Sequence, residues 1–282
     1  MMKPTRTALL SFLWFAIVLP IQVFAQSNIS VFPGPDSRNG NSLKYVEAGI
    51  SSSTASLTRL GFKVPQVSVF LSDDPRWLTE NYLKVNKLGA GFRAGKMQSF
   101  STCNPQAEAG LGVVFLCEGD RLYRNKGRVT HIVAHELWHT VVQYGRAKRR
   151  CCTDRDFVSG RAPGGTTFYG PQWLLEGSAE MFAEYVAANG NTRRFRNAMK
   201  KYVSRTSSRT EILNLTSRQG FNANDGWTVG PAAAFVLTDG QFAPFAKYFS
   251  LIGAGSSYRK AFERAFGMTQ KDFSTSFLRA VQ

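Results

Sequence analysis

The chain has 282 residues, 43% of them hydrophobic and 13% aromatic, and its 35 Lys and Arg against 19 Asp and Glu give a formal net charge of +16. That length supports one substantial core with a cleft, and the lack of low-complexity tracts or internal repeats argues against a repeat array. The charge favours anionic neighbours, yet no recognisable nucleic-acid motif accompanies it.

Lys3 and Arg6, the largely apolar run from Ala8 to Val23 and the small Ala25 read as an export signal cut after Ala25. Pro20, Gln22 and the short run argue against a membrane span. Residues 26–282 then form one domain, with an N-terminal part to residue 145 and a helical C-terminal part from 146. This mature chain is expected to be secreted or periplasmic, with no membrane span, and losing Lys3 and Arg6 takes its charge from +16 to +14.

Leu43, Val46, Ile50, Leu57 and Leu60 predict a helix over Ser42 to Leu60, ending near Gly61. Val67, Val69 and Leu71 alternate as a strand does, and Asp73-Asp74-Pro75 opens a turn or short helix. Val113 to Leu116 reads as a buried strand. Thr130 to Tyr144 predicts a helix stopped by Gly145, and a second helix runs from Gly170-Pro171 to about Asn189-Gly190. Between them, the Gly-rich segment from Gly160 to Gly170 suits a cleft wall or surface padding equally.

Cys103, Cys117, Cys151 and Cys152 are an even set, which in an exported protein points to disulfides. A bond between the neighbours Cys151 and Cys152 would be strained, so two bonds tying that pair to Cys103 and Cys117 are expected. No Cys-x-x-Cys pair suggests a cysteine-held metal. Basic residues concentrate in Arg146 to Arg150 and between Arg193 and Arg209, a stretch without an acid from Asn189 to Thr210. The bland reading is a solvated helix face; the functional one is contact with a polyanion.

His135-Glu136-Leu137-Trp138-His139 places two histidines one turn apart on one helix face, where both imidazoles reach a single zinc ion. Glu136 falls beside the open metal position and suits a general base acting on a zinc-activated water. A third ligand must be a carboxylate, because all three histidines lie within nine residues. Glu176, in the apolar stretch Trp173 to Ala179, fits that task. Glu180, one turn on, is placed to accept the free ring N–H of a ligand histidine. Glu184 reads as an exposed helix face. His131 lies a turn too far back to join the ligands and reads as a supporting or packing residue.

His-Glu-x-x-His followed on a later helix by Trp-Leu-x-Glu-Gly-x-Ala resembles the gluzincin metallopeptidases, and more closely their peptidase MA-like branch. The resemblance implies a zinc peptidase with His135, His139 and Glu176 as ligands, Glu136 as base and Glu180 as the ligand's partner. It extends to Lys63-Val64-Pro65 before the motif and to the tail from Tyr258 to Leu278. Such families also place a tyrosine or histidine at the oxyanion. Here Trp227 stands where tyrosine is common, leaving Tyr169, with Tyr185 behind it, as the substitute. Gly110-Leu111-Gly112-Val113 replaces the aminopeptidase signature, which favours an endopeptidase.

The expected architecture is α+β and zincin-like: a small mixed sheet and the zinc helix in the N-terminal part, a mainly helical C-terminal part, and a cleft between them. The substrate is a peptide or protein. The alternative is a catalytically inactive zincin-fold module that binds an anionic cell-envelope component.

Overall fold

Four short strands carry the first half of the chain: β1 (Ile29–Pro33), β2 (Val67–Ser72), β3 (Ala107–Gly110) and β4 (Val113–Cys117). They form one mixed sheet in the order β1-β2-β4-β3, with β1, β2 and β4 parallel and β3 antiparallel to β4 at the edge. This computed structural model describes residues 28–37, 40–104, 106–119, 121–147, 169–206 and 211–281. The expected signal segment, Lys148 to Arg150, Cys151, Cys152, Arg209 and the Gly-rich loop up to residue 168 lie outside them.

Alternation along the strands builds two cores. Val67, Val69, Leu71, Val114 and Leu116 face α1 (Asn41–Arg59) and α4 (Lys126–Trp138), against Val46, Ile50, Leu57, Val133 and Leu137. On the other face, Phe70, Val113, Phe115 and Cys117 pack on α2 (Pro75–Val85) and α3 (Arg93–Ser101) through Leu78, Tyr82 and Phe100. The sheet is therefore covered on both sides, as its parallel strands require.

Asp74 caps α2 by accepting hydrogen bonds from the Arg76 and Trp77 amides, and Pro75 at its start needs no donor, so the expected turn or short helix is a helix of 11 residues. Both ends of the motif helix differ from expectation. The motif helix starts at Lys126 because the Asn125 side chain caps it, four residues before Thr130. Gly145 does not stop it: its φ of −61° is ordinary right-handed helix, and α5 (Gly145–Ala147) continues the path. Between α4 and α5 lies a π-helical segment, His139–Tyr144.

The second half is helical: α6 (Gln172–Ala187), α7 (Thr192–Arg205), α8 (Arg218–Ala223), α9 (Gly226–Thr238), α10 (Ala243–Gly253), α11 (Tyr258–Phe266) and α12 (Gln270–Ala280). α6 lies against both α4 and α9. Trp138, fully buried, joins the halves, its ring 5.6 Å from Phe62 and 5.1 Å from Phe182. The molecule is thus α+β, with the larger core continuous from Ile29 to Phe277. No helix among the described residues is long and apolar enough to cross a membrane.

The expected cysteine pairing is corrected. Cys103 bonds Cys117, with Cα atoms 5.4 Å apart, because the β3–β4 hairpin returns the chain to the end of α3.

Candidate metal centre

Two elements set the site. α4 and the π segment supply His135 and His139, and α6, crossing them, supplies Glu176. The three side chains are buried, and they form a group whose donor atoms converge closely enough to hold one metal ion. His135 Nε2 lies 3.0 Å from His139 Nε2 and 3.1 Å from Glu176 Oε2, and His139 Nε2 lies 3.5 Å from that same oxygen. Ligand atoms about 2.0–2.1 Å from a tetrahedral metal would stand roughly 3.3 Å apart.

The other ring nitrogens decide which atoms carry lone pairs. His135 Nδ1 lies 3.2 Å from Glu180 Oε2, and an ionised carboxylate only accepts, so Nδ1 carries the proton and Nε2 is left bare. His139 Nδ1 lies 2.8 Å from Gln143 Oε1. The Gln143 amide has one workable orientation, because its Nε2 donates to the Leu175 carbonyl at 2.8 Å and to Ser178 Oγ at 3.1 Å. An acceptor-only carbonyl on α6 thereby fixes the tautomer of the histidine that opens the π segment.

Glu176 is oriented by the same logic. Gln172 Nε2 and Arg218 Nη1 each donate to its Oε1 at 2.7 Å, which leaves Oε2 for the imidazoles. With those tautomers three electron-pair donors meet with no hydrogen of their own to share, an arrangement that suits a cation. A proton is the smallest: burial opposes charge on His135, but hydrogen bonds to Glu176 and Glu180 outweigh it and push its pKa up to about 10. Burial likewise works against the Glu176 and Glu180 carboxylates, yet hydrogen bonds from the histidines hold both well below the usual range.

Glu136 sits beside the ligands, half-buried and without a hydrogen-bond partner among the described residues. Burial raises its pKa, and the histidines pull it back. A carboxylate left unbonded next to a cation site is free to handle protons.

Glu180 also accepts from His131 Nε2 at 2.8 Å, and Tyr202 Oη lies 3.1 Å from both Glu180 and Glu184. His131 therefore supports the ligand's partner from outside the ligand set. Glu184 departs from its expected exposed face: it is half-buried, because Tyr202 from α7 closes over it.

The tyrosines are rearranged relative to expectation. Tyr144, which the sequence reading missed, stacks on His139 with ring centres 6.0 Å apart. Tyr169 is buried edge-on against Tyr144 at 5.3 Å, one ring farther out, with its carbonyl accepting from Tyr248 Oη. Tyr185 packs on Phe195 and Phe242. Trp227 stands beside His135 at 6.1 Å and is 45% exposed.

No family model, curated protein or solved structure significantly matches the chain.

Proposed function

We propose that the chain is an exported zinc peptidase of the gluzincin type, with a zincin-like arrangement of sheet, motif helix and helical second half. The observation that carries this reading is the convergence of His135 Nε2, His139 Nε2 and Glu176 Oε2, each fixed as a bare electron-pair donor, beside the unbonded Glu136. Two nitrogens and one oxygen suit zinc with a position left open. Zinc held there would supply Lewis-acid polarisation of a peptide carbonyl and acidify a water near neutral pH.

The chain's own groups do the rest. Glu136 takes the proton of the attacking water and later gives it to the departing amine. Tyr144 replaces Tyr169 as the tyrosine assigned to the oxyanion; burial and the nearby Glu176 and Glu136 carboxylates raise its pKa, which keeps its hydroxyl a donor. Among the described residues β3 pairs with β4 on one side only, and it lies against the motif helix and the π segment. Its outer edge can take an extended peptide by main-chain hydrogen bonds, which suits an endopeptidase.

The test is cleavage of a denatured protein mixture by wild type and Glu136→Gln at equal zinc content, with new termini read by mass spectrometry. Wild type is expected to generate new termini and the variant none. Equal cleavage by both would remove Glu136 from the chemistry.

A second reading has its own observation. Arg193, Arg194, Lys200, Lys201 and Arg205 on α7 are exposed and form no ion pair among the described residues, which suits an inactive module that binds an anionic envelope polymer. Polyanion binding that weakens with salt but survives metal removal, without cleavage, would favour it.

A further inference from the structure

Beside the ligands, the wall formed by α8 and the start of α9 is built but uncovered among the described residues. Trp227 lays its indole against His135 at 6.1 Å while leaving 45% of its surface exposed. Phe221, fully buried, supports it edge-on at 5.2 Å. Gly226 makes that support possible, since any side chain there would run into the Phe221 ring and carbonyl. Arg218 stands over the indole with its guanidinium 5.9 Å from the ring centre, and its side chain is 53% exposed.

Arg218 spends Nη1 on Glu176, and no other hydrogen bond from its guanidinium is formed among the described residues. A guanidinium has five donors in a fixed fork, so an edge remains for a planar anion. With a dication in place, the charges of Glu136 and Glu176 are offset, so the positive charge of Arg218 is not cancelled by the carboxylate it holds. The rigid aromatic surface beneath adds apolar contact at small conformational cost.

We infer that Arg218 and Trp227 form a substrate subsite for a carboxylate next to the cleaved bond, supplied by an acidic side chain or by the peptide's own C-terminus. This rests on the peptidase reading: the guanidinium grips the carboxylate while the indole carries the adjoining methylenes. Because Arg218 also holds Glu176, an occupied subsite is one bond away from a metal ligand. Substrate preference and ligand position therefore share one side chain.

The experiment uses zinc-loaded Glu136→Gln as a non-cleaving trap, with fluorescent peptides in matched pairs. One pair differs by Glu against Gln at an internal position, the other by a free C-terminus against its amide. In at least one pair, the carboxylate member is expected to bind about tenfold more tightly, as a charge-assisted bond would give, and the affected pair identifies the source. Arg218→Met in the same background is expected to abolish that difference, and Trp227→Ala to weaken both members; zinc content is measured on each protein. Equal affinity within both pairs, with wild type still cleaving peptides, would overturn the subsite and leave the peptidase standing. Failure of the trap to bind any peptide, with no cleavage by wild type, would overturn both.

Discussion

Gln143 shows how much of the candidate metal centre depends on residues outside the three that would hold an ion. Its buried amide links His139 to the Leu175 carbonyl and Ser178, so Gln143→Leu is expected to lower zinc affinity about 10- to 100-fold, read by chelator competition. Gln143→Glu keeps an acceptor for His139 and is expected to recover part of that loss. His135 sets the pH behaviour. Its pKa is raised from 6.5 to about 10 in the metal-free protein, so the proton's contribution to stability is complete below 6.5 and lost as pH rises through about 10. Zinc must displace that proton, so apparent zinc affinity is expected to rise between these values, with proton release seen by calorimetry in buffers of different ionisation enthalpy. A metal affinity flat across that window would contradict the assignment. Helical spacing pointed to His135 with His139 and to Glu180 one turn after Glu176, because periodicity fixes which side chains share a face. Glu176 itself was picked out by its apolar stretch and the lack of a further histidine. Gln143 and Tyr144 were not legible. A glutamine four residues after a histidine has meaning only once α6 brings a carbonyl to its other end.

At the scale of elements, α6, which carries Glu176, lies between α4 and α9, and its approach to α9 is close. A side chain at Gly177 would collide with the Gly230 carbonyl and come within 3.1 Å of the Pro231 nitrogen. Gly177→Ala is expected to destabilise the fold by about 1–3 kcal/mol through overpacking, read by denaturant titration, and to weaken zinc binding by shifting Glu176. Unchanged stability and zinc affinity would show that the two helices can separate freely. The glycine was visible in the sequence as part of a motif, but its reason lies in α9. α1, read from a weak apolar stripe, and α6, read from Pro171 at its start and Gly190 at its exit, ran close to their expected spans, and β2 and β4 were legible from their apolar residues. β3 was missed because Ala-Glu-Ala-Gly has little strand preference; pairing with β4 makes it a strand.

For the whole molecule, the α+β class followed from strands preceding the motif and helices following it, while the joining of the halves through Trp138 depended on packing that no local pattern records. The disulfide teaches the same lesson, since Cys103 meets Cys117 through a hairpin whose first strand was not foreseen. Closing a 14-residue separation, this bond is expected to contribute about 3 kcal/mol, so reduction should lower the melting temperature, and a melting curve indifferent to reductant would remove its structural role. The two halves supply different ligands, so the centre exists only in the assembled fold. The most direct measurement is proteolysis recorded while zinc is titrated into metal-stripped wild-type protein. Activity is expected to rise in proportion to added zinc and to level off at about one ion per chain. Full cleavage by the stripped protein, or saturation with zinc and no cleavage at all, would contradict a zinc peptidase built on His135, His139 and Glu176.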